Sequence, residues 1–290
     1  MTAQLINGKE IARAKRLAMK AAVGKMKSEG AVPGLAVVLV GENPASQSYV
    51  KGKIRDCKEV GIYSELIHFP ESVSEKALLD KIRELNEKAS VHGILVQLPL
   101  PKQISEQKVI QTISPAKDVD GFHPINLGRM MTGQSSFVPC TPAGIIEMLH
   151  AVNVQIAGKH VVIVGRSNIV GKPAALLFLN NNATVTLCHS KTTPLSQYTK
   201  QADVLVVAVG HAGLIGAEDI KPGAIVIDVG MNRNADGKLA GDVEFEEVRE
   251  KASFITPVPG GVGPMTRVML LENTLKAANH FIRERDLHAE

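Results

Sequence analysis

The sequence predicts an α/β protein of two domains built on parallel sheets, and three observations carry that expectation. Five short, β-branched, nearly continuous apolar runs, "GLAVVLVG" (34–41), "GILVQLPLP" (93–101), "KHVVIVG" (159–165), "ADVLVVAVG" (202–210) and "GAIVIDVG" (223–230), have the composition of parallel strands covered on both faces. The segments 44–60, 74–89, 142–152, 170–181 and 194–200 read as helices between them, and such alternation marks a doubly wound architecture. Between Asp118 and Pro142, "DVDGFHPINLGRMMTGQSSFVPCTP" breaks the rhythm with Gly, Pro and polar residues. A stretch that long reads as a crossing between domains, a common place for a ligand cleft.

The first twenty residues interleave charged and apolar positions at helical spacing, unlike the uninterrupted apolar stretch of a signal peptide. At the other end, "RVMLLENTLKAANHFIRERDL" reads as an amphipathic helix with Met269, Leu270, Leu275 and Ala278 on its buried side, returning to pack on the first domain. The expected domains are therefore 1–140 with the helix 267–290, and 141–266.

Within 290 residues, 44% are hydrophobic and 21% charged, the balance of a globular protein with a sizeable core. Tryptophan is absent and aromatics are only 3%, so Val, Ile, Leu, Ala and Met must fill that core. A net charge of +4 suits a small anionic ligand, but the basic residues are scattered and no Lys/Arg run marks a nucleic-acid surface. Cys57, Cys140 and Cys188 lack C-x-x-C spacing, which points to neither a disulfide framework nor a zinc site, and no metal is expected. No apolar run approaches the ~20 residues that span a membrane. The location expected is cytoplasmic.

The segment "VVIVGRSNIVGKPAALLFL" has the form of a strand, a glycine turn and a helix whose free N–H groups and dipole favour phosphate. Gly165 permits the turn, Arg166 adds a cation, Ser167 a hydroxyl, and Gly171 a close approach; the same pattern also serves as a plain strand-to-helix connection. The following strand, "ATVTLC", ends in His189, Ser190 and Lys191, and no Asp or Glu lies between Gly165 and Lys191. An NAD-selective site places a carboxylate there against the ribose 2′-OH. A cation and hydroxyls in its place accept a 2′-phosphate, so NADP is preferred, with a solvated loop as the alternative.

In the first domain, Tyr49 and Lys53 stand at i and i+4 on one helix face. Such a pair can stack on a flat heterocycle and move a proton, or be a surface lysine beside a half-buried tyrosine. Gln97 is a polar residue at the carboxyl end of an apolar strand, where ligands of open sheets gather, or a capping amide. Asp118 and Asp120 suit a ligand or an Asx turn equally. "TPVPGGVGPMT" (256–266) gives a stiff loop with little side chain, fitted to close ligand approach or to a tight interdomain turn.

Taken in order, "NPASQSYVKGK", "GILVQLPLP", "KDVDGFHPIN", "PCTPAG", "VVIVGRSNIVGKP", "ATVTLCHSKT", "DVGMNR" and "TPVPGGVGPMT" make the chain resemble the bifunctional methylenetetrahydrofolate dehydrogenase/cyclohydrolase family across nearly its whole length. The resemblance implies an N-terminal α/β substrate and catalytic domain and a Rossmann-like doubly wound NADP-binding domain. It implies NADP-dependent oxidation of 5,10-methylenetetrahydrofolate to the 5,10-methenyl cation, then hydrolysis to 10-formyltetrahydrofolate in the same cleft. Lys53 is then the catalytic lysine, Gln97 tunes its protonation, Tyr49 stacks on the folate and Asp120 holds the pterin. Ser46, Val96 and Leu98 join them on the substrate side, with the loop Pro259, Gly260, Gly261, Val262, Gly263, Pro264, Met265 and Thr266.

The cofactor contacts implied are Gly165, Arg166, Ser167, Ser190 and Met231, and a homodimer is implied as well. Met231 stands where the family more often has isoleucine, and Arg267 where an apolar residue is common. Without a G-x-x-x-x-G-K-[ST] motif, the synthetase activity of larger relatives is not expected. Two other readings use the same residues: a different NADP-dependent dehydrogenase, acting on a small hydroxy or amino acid through Lys53 and Asp120, and a nucleotide sensor without chemistry.

Overall fold

The computed structural model describes residues 2–234 and 237–287; residues 288–290 of the expected last helix lie outside them. The chain begins with β1 (Gln4–Leu5), α1 (Gly8–Ser28), β2 (Gly34–Val40), α2 (Pro44–Val60), β3 (Tyr63–Phe69), α3 (Glu75–Glu87) and β4 (Gly93–Val96). It continues through α4 (Glu106–Thr112), α5 (Pro124–Met131), α6 (Cys140–Ala151), β5 (His160–Val164), α7 (Gly171–Asn180), β6 (Thr184–Cys188), α8 (Ser196–Thr199) and β7 (Val204–Val207). The remainder is β8 (Ile225–Asp228), β9 (Asn232–Arg233), β10 (Leu239–Ala240), α9 (Phe245–Arg249), β11 (Phe254–Ile255) and α10 (Val262–Leu287).

Two compact units result: Ala14–Val138 with Arg267–Glu290, and Met1–Arg13 with Pro139–Thr266. The first carries a parallel sheet in the order β3-β2-β4, the second a parallel sheet in the order β1-β11-β8-β7-β5-β6. In each, one strand is flanked on opposite sides by the next two strands of its series: β2 by β3 and β4, β5 by β6 and β7. The crevice at the carboxyl ends of such a switch point is where open α/β sheets hold ligands.

Every residue of β2, β4, β7 and β8 is buried, as continuous apolar runs require when helices cover both faces. Val38, Ile82, Leu85 and Ile94 lie in the core of the three-stranded unit; Val162, Leu205, Val226 and Ile255 lie in that of the six-stranded unit.

Four expectations change. Residues 1–13, expected with the first domain, group with the six-stranded unit: β1 pairs with β11, Ala3 is buried in that unit's core, and the Lys9 N–H donates to the Gly260 carbonyl at 3.1 Å. The "GILVQLPLP" strand stops at Val96, before the cis Leu98–Pro99 bond. The stretch 118–142 contains α5, whose first N–H groups are served by the His123 ring accepting from Ile125 N–H at 3.1 Å. The last helix starts at Val262 rather than after Thr266, because Pro264 falls in its first turn, where no intrahelical N–H is needed. Met269, Leu270 and Ala278 are buried on that helix, and Leu275 is half-buried.

Candidate active site

In the three-stranded unit α2 leaves the carboxyl side of β2. Its start is set by Asn43, whose side-chain oxygen accepts from the Ala45 and Ser46 N–H groups at 3.0 and 3.1 Å, and by Pro44 in the first turn. Ser46 and Lys53 are buried and Tyr49 is half-buried, at the i, i+3 and i+7 spacing of one helix face. The Lys53 Nζ donates to Gln97 Oε1 at 3.0 Å. Gln97 follows β4 directly; its backbone N–H donates to the Val38 carbonyl at 2.9 Å, and its side-chain Nε2 donates to the Leu98 carbonyl at 2.7 Å. The amide is thus held with its oxygen toward the lysine, the only orientation in which both contacts are donor-to-acceptor.

Val96, Leu98, Asp118, Asp120 and Phe122 line one small pocket beyond β4. The two aspartates differ in task. Asp118 is buried and accepts from the Phe122 and His123 N–H groups and from Asn126 Nδ2, which builds the turn into α5. Burial pushes its carboxyl upward, against those hydrogen bonds. Asp120, on the same turn, is half-buried at the pocket.

Arg267, unusual for the pattern it sits in, has a partner that the sequence did not reveal. Its Nε lies 2.9 Å from Oδ2 of Asp56, which is 1% exposed on α2 one turn past Lys53. The two atoms are close without hydrogen-bond alignment, so charge holds them. A Cβ at Gly52 would lie 2.6 Å from Arg267 Nη1, so glycine makes room for the guanidinium. Burial raises the Tyr49 hydroxyl above its usual range, and the Arg267 cation opposes the shift. The same burial, reinforced by the Asp56 charge, drives the Cys57 thiol to about 12; the three cysteines are free and buried.

In the six-stranded unit Gly165 adopts φ +122° where β5 ends, and a Cβ there would overlap the Ala208 carbonyl beyond β7. A Cβ on Gly171 would overlap the Gly165 carbonyl. The turn is therefore closed on itself at the β5/β7 switch point, with backbone alone available for a phosphate to approach. The Ser167 Oγ accepts from the Val170 and Gly171 N–H groups at 3.1 and 3.3 Å, which commits its oxygen and leaves its hydrogen to donate. Arg166 is exposed beside it. After β6, Thr192 Oγ1 accepts from the His189 N–H and His189 Nδ1 accepts from the Lys191 N–H, a tight turn that leaves Ser190 and Lys191 exposed. These residues fit a phosphorylated dinucleotide: an uncluttered turn, a helix N-terminus, and a rim carrying cations and hydroxyls without a carboxylate.

Met231 is 48% exposed just past β8. Asp228, the last residue of β8, is buried, and its carboxylate accepts from the Gly230, Asp242 and Val243 N–H groups at 2.9, 2.9 and 3.0 Å. Burial lifts its carboxyl to about 6 despite those bonds, with the Asp242 charge adding to the rise. The loop Pro259–Thr266 also belongs to this unit: Gly261 approaches Gly8 so closely that a Cβ on Gly8 would overlap its carbonyl, and the Thr266 and Thr141 hydroxyls lie 2.9 Å apart. Sequence order thus brings Ser46, Tyr49, Lys53, Val96, Gln97, Leu98 and Asp120 into one unit, and the turn, Ser190, Met231 and the Gly/Pro loop into the other. Asp56, Asp228 and Asp242 carry no signal in the sequence, because a buried carboxylate has no local pattern.

Among the described residues, no group of three or more His, Cys, Asp or Glu is arranged to hold a metal, and no helix is long and apolar enough to cross a membrane. Fold and sites define a two-unit, parallel-sheet α/β protein with a lysine–amide pair at one switch point and, at the other, a turn that fits a dinucleotide. The family model for the tetrahydrofolate dehydrogenase/cyclohydrolase catalytic domain matches residues 6–120, and that for its NAD(P)-binding domain matches 139–282.

"Bifunctional protein FolD" of Geobacillus kaustophilus is 62% identical over 96% of this chain and 98% of its own length, and that of Bacillus cytotoxicus is 60% identical over 96% and 97%. Among solved structures, the bifunctional enzyme FolD, a methylenetetrahydrofolate dehydrogenase/cyclohydrolase from Campylobacter jejuni, aligns with a TM-score of 0.95 at 50% identity, covering 96% of this chain and 99% of that one. The Trypanosoma brucei enzyme complexed with NADP cofactor and inhibitor aligns at 0.93 and 38% identity, covering 98% and 99%. The chain belongs to the tetrahydrofolate dehydrogenase/cyclohydrolase family.

Two outcomes follow from the buried charges. Asp56→Ala strands the Arg267 cation and should cost about 3 kcal/mol, whereas Asp56→Ala with Arg267→Val should recover most of it; urea unfolding of wild type, both single variants and the double checks this. Asp228 titrates higher when folded than its usual 3.8, so its stabilising contribution is complete below about pH 4 and lost as pH rises through about 6. Asp228→Asn should flatten the stability profile across that window, read by denaturant midpoints at pH 4 to 7.

Proposed function

We infer that this chain oxidises 5,10-methylenetetrahydrofolate to 5,10-methenyltetrahydrofolate with NADP⁺ and hydrolyses that product to 10-formyltetrahydrofolate. Membership of the family supports both activities, and the observation that carries the assignment to residues is the Lys53–Gln97 contact at the β2/β4 switch point.

Oxidation asks the protein for orientation. The lone pair of a folate nitrogen expels hydride from the methylene carbon, and NADP⁺, when bound, supplies the acceptor. Tyr49 offers its ring as a stacking surface, Asp120 accepts from pterin N–H groups, and Ser46, Val96 and Leu98 complete the substrate side with the loop Pro259–Thr266. Hydrolysis asks for a mobile proton. Water adds to the methenyl carbon, Lys53 Nζ takes a proton from it, and the carbon–N5 bond opens. One proton of the water ends on N5 and the other in solvent. Gln97, a neutral acceptor, holds the Lys53 nitrogen in place without pairing it to a negative charge.

Gly165, Arg166, Ser167, Ser190 and Met231 are the cofactor contacts, with Arg166 and Ser190 meeting the 2′-phosphate that distinguishes NADP from NAD. A homodimer is proposed through β3, an edge strand of its sheet that exposes Tyr63 (49%) and Leu66 (48%) and has one hydrogen-bonding edge outside the sheet. The compartment proposed is the cytoplasm, and neither nucleic acid nor membrane is a proposed partner.

Lys53→Met should abolish methenyltetrahydrofolate hydrolysis above the spontaneous rate, measured as decay of added substrate; full hydrolysis in a folded variant rejects the assignment. Ser190→Asp should raise KM for NADP⁺ about tenfold or more while leaving that for NAD⁺ little changed, the effect of a carboxylate facing a phosphate.

A further inference from the structure

Beyond the turn at Gly165, the carboxyl edge of the six-stranded sheet presents two exposed apolar side chains, Val209 after β7 and Met231 after β8. Their strands are neighbours, with Val207 paired to Asp228. Both sit on segments with little regular structure, so something other than the sheet must fix them. Asp242, completely buried, does so from a third segment. Its Oδ2 accepts from the Val209 and Gly210 N–H groups at 2.8 and 3.0 Å, and its Oδ1 accepts from Asn232 Nδ2 at 2.9 Å. One carboxylate thereby ties Val209 itself to the residue that follows Met231.

Asp228 closes the arrangement from the opposite side. Its carboxylate accepts from the N–H of Gly230, just before Met231, and from the N–H groups of Asp242 and Val243. The chain is fitted around both acids. A Cβ on Gly230 would overlap Asp242, and one on Gly241 would overlap the Asp228 carboxylate. A pair of interlocked acids with five backbone donors and one amide is a costly construction for a surface loop, and it lies where a parallel sheet places its ligand.

We propose that Asp242 and Asp228 are positioning residues for the cofactor: together they hold Val209 and Met231 as a fixed apolar shelf for the nicotinamide end of NADP. This rests on the reading of the six-stranded unit as the NADP site. The clamp serves hydride transfer and not hydrolysis, which needs no cofactor, so its loss separates the two activities.

The full chain and its Asp242→Asn and Asn232→Ala variants are compared in three measurements: dehydrogenase kinetics at varied NADP⁺, NADP⁺ binding by calorimetry, and hydrolysis of added methenyltetrahydrofolate without cofactor. Asp242→Asn replaces a charged acceptor and should raise both KM and Kd for NADP⁺ about tenfold or more, with hydrolysis within about twofold of wild type. Asn232→Ala removes the half-buried amide that donates to Asp242 and to the Gly241 carbonyl, and should act in the same direction to a lesser degree. Asp242→Asn decides where it folds, and Asn232→Ala where it does not. Unchanged NADP⁺ binding in the deciding variant, or a parallel fall of both activities, overturns the clamp. Wild type that binds NADP⁺ but lacks both activities would instead fault the folate reading, and the calorimetric comparison would still judge the clamp.

Discussion

Burial of parallel strands on both faces is the constraint that places the chemistry of this chain. From Gly34 to Val40, and again in β4, β7 and β8, every residue is buried. Polar groups can enter only where a strand runs out, and the carboxyl ends at a switch point leave a gap between diverging helices. Gln97 follows β4, Gly165 follows β5, and Asp228 ends β8. Each occupies the first position at which its strand can face something other than hydrocarbon.

Several of the loops beyond the strand ends are held by buried carboxylates. Asp118, Asp228 and Asp242 each accept from two or three N–H groups of nearby loops, and these loops carry Asp120, Met231 and Val209, residues proposed to meet a ligand. A loop has no ladder of its own to satisfy its backbone, and a buried acid supplies acceptors at the cost of desolvation. That cost is visible in the upward shifts of Asp118 and Asp228. Asp56 follows another route, offsetting its burial with the Arg267 cation.

Local pattern made most of this fold legible. β2, β4, β5, β7 and β8 are apolar runs, and α2 begins at Pro44 and ends at Val60 as periodicity and the Asn-Pro start require. β3 is not legible in the sequence, because "YSELIHF" is an edge strand with half-exposed, mixed residues that resemble a loop in composition. The grouping of residues 1–13 with the six-stranded unit has no signal in the sequence, because pairing of Gln4 with Phe254 joins residues 250 positions apart, which no window can register. Type and position single out Tyr49, Lys53 and Gln97 but leave a surface lysine and a capping amide as alternatives; their roles come from the resemblance, with which the Lys53–Gln97 contact agrees. Arg267 looked anomalous from sequence because its explanation, Asp56 with the space over Gly52, lies on another helix.

The half-buried ring of Tyr49 has an optical consequence. With no tryptophan and three tyrosines in the chain, near-ultraviolet fluorescence is tyrosine emission alone, and one emitter in three stands on the helix face that carries Lys53. A flat heterocycle stacked on that ring would quench a substantial share of a weak, uncluttered signal, while reduced nicotinamide emits at longer wavelengths where the protein is dark. The scarcity of aromatics, a matter of core filling when the chain folds, thus leaves the native protein with a reporter on the helix face proposed for the folate.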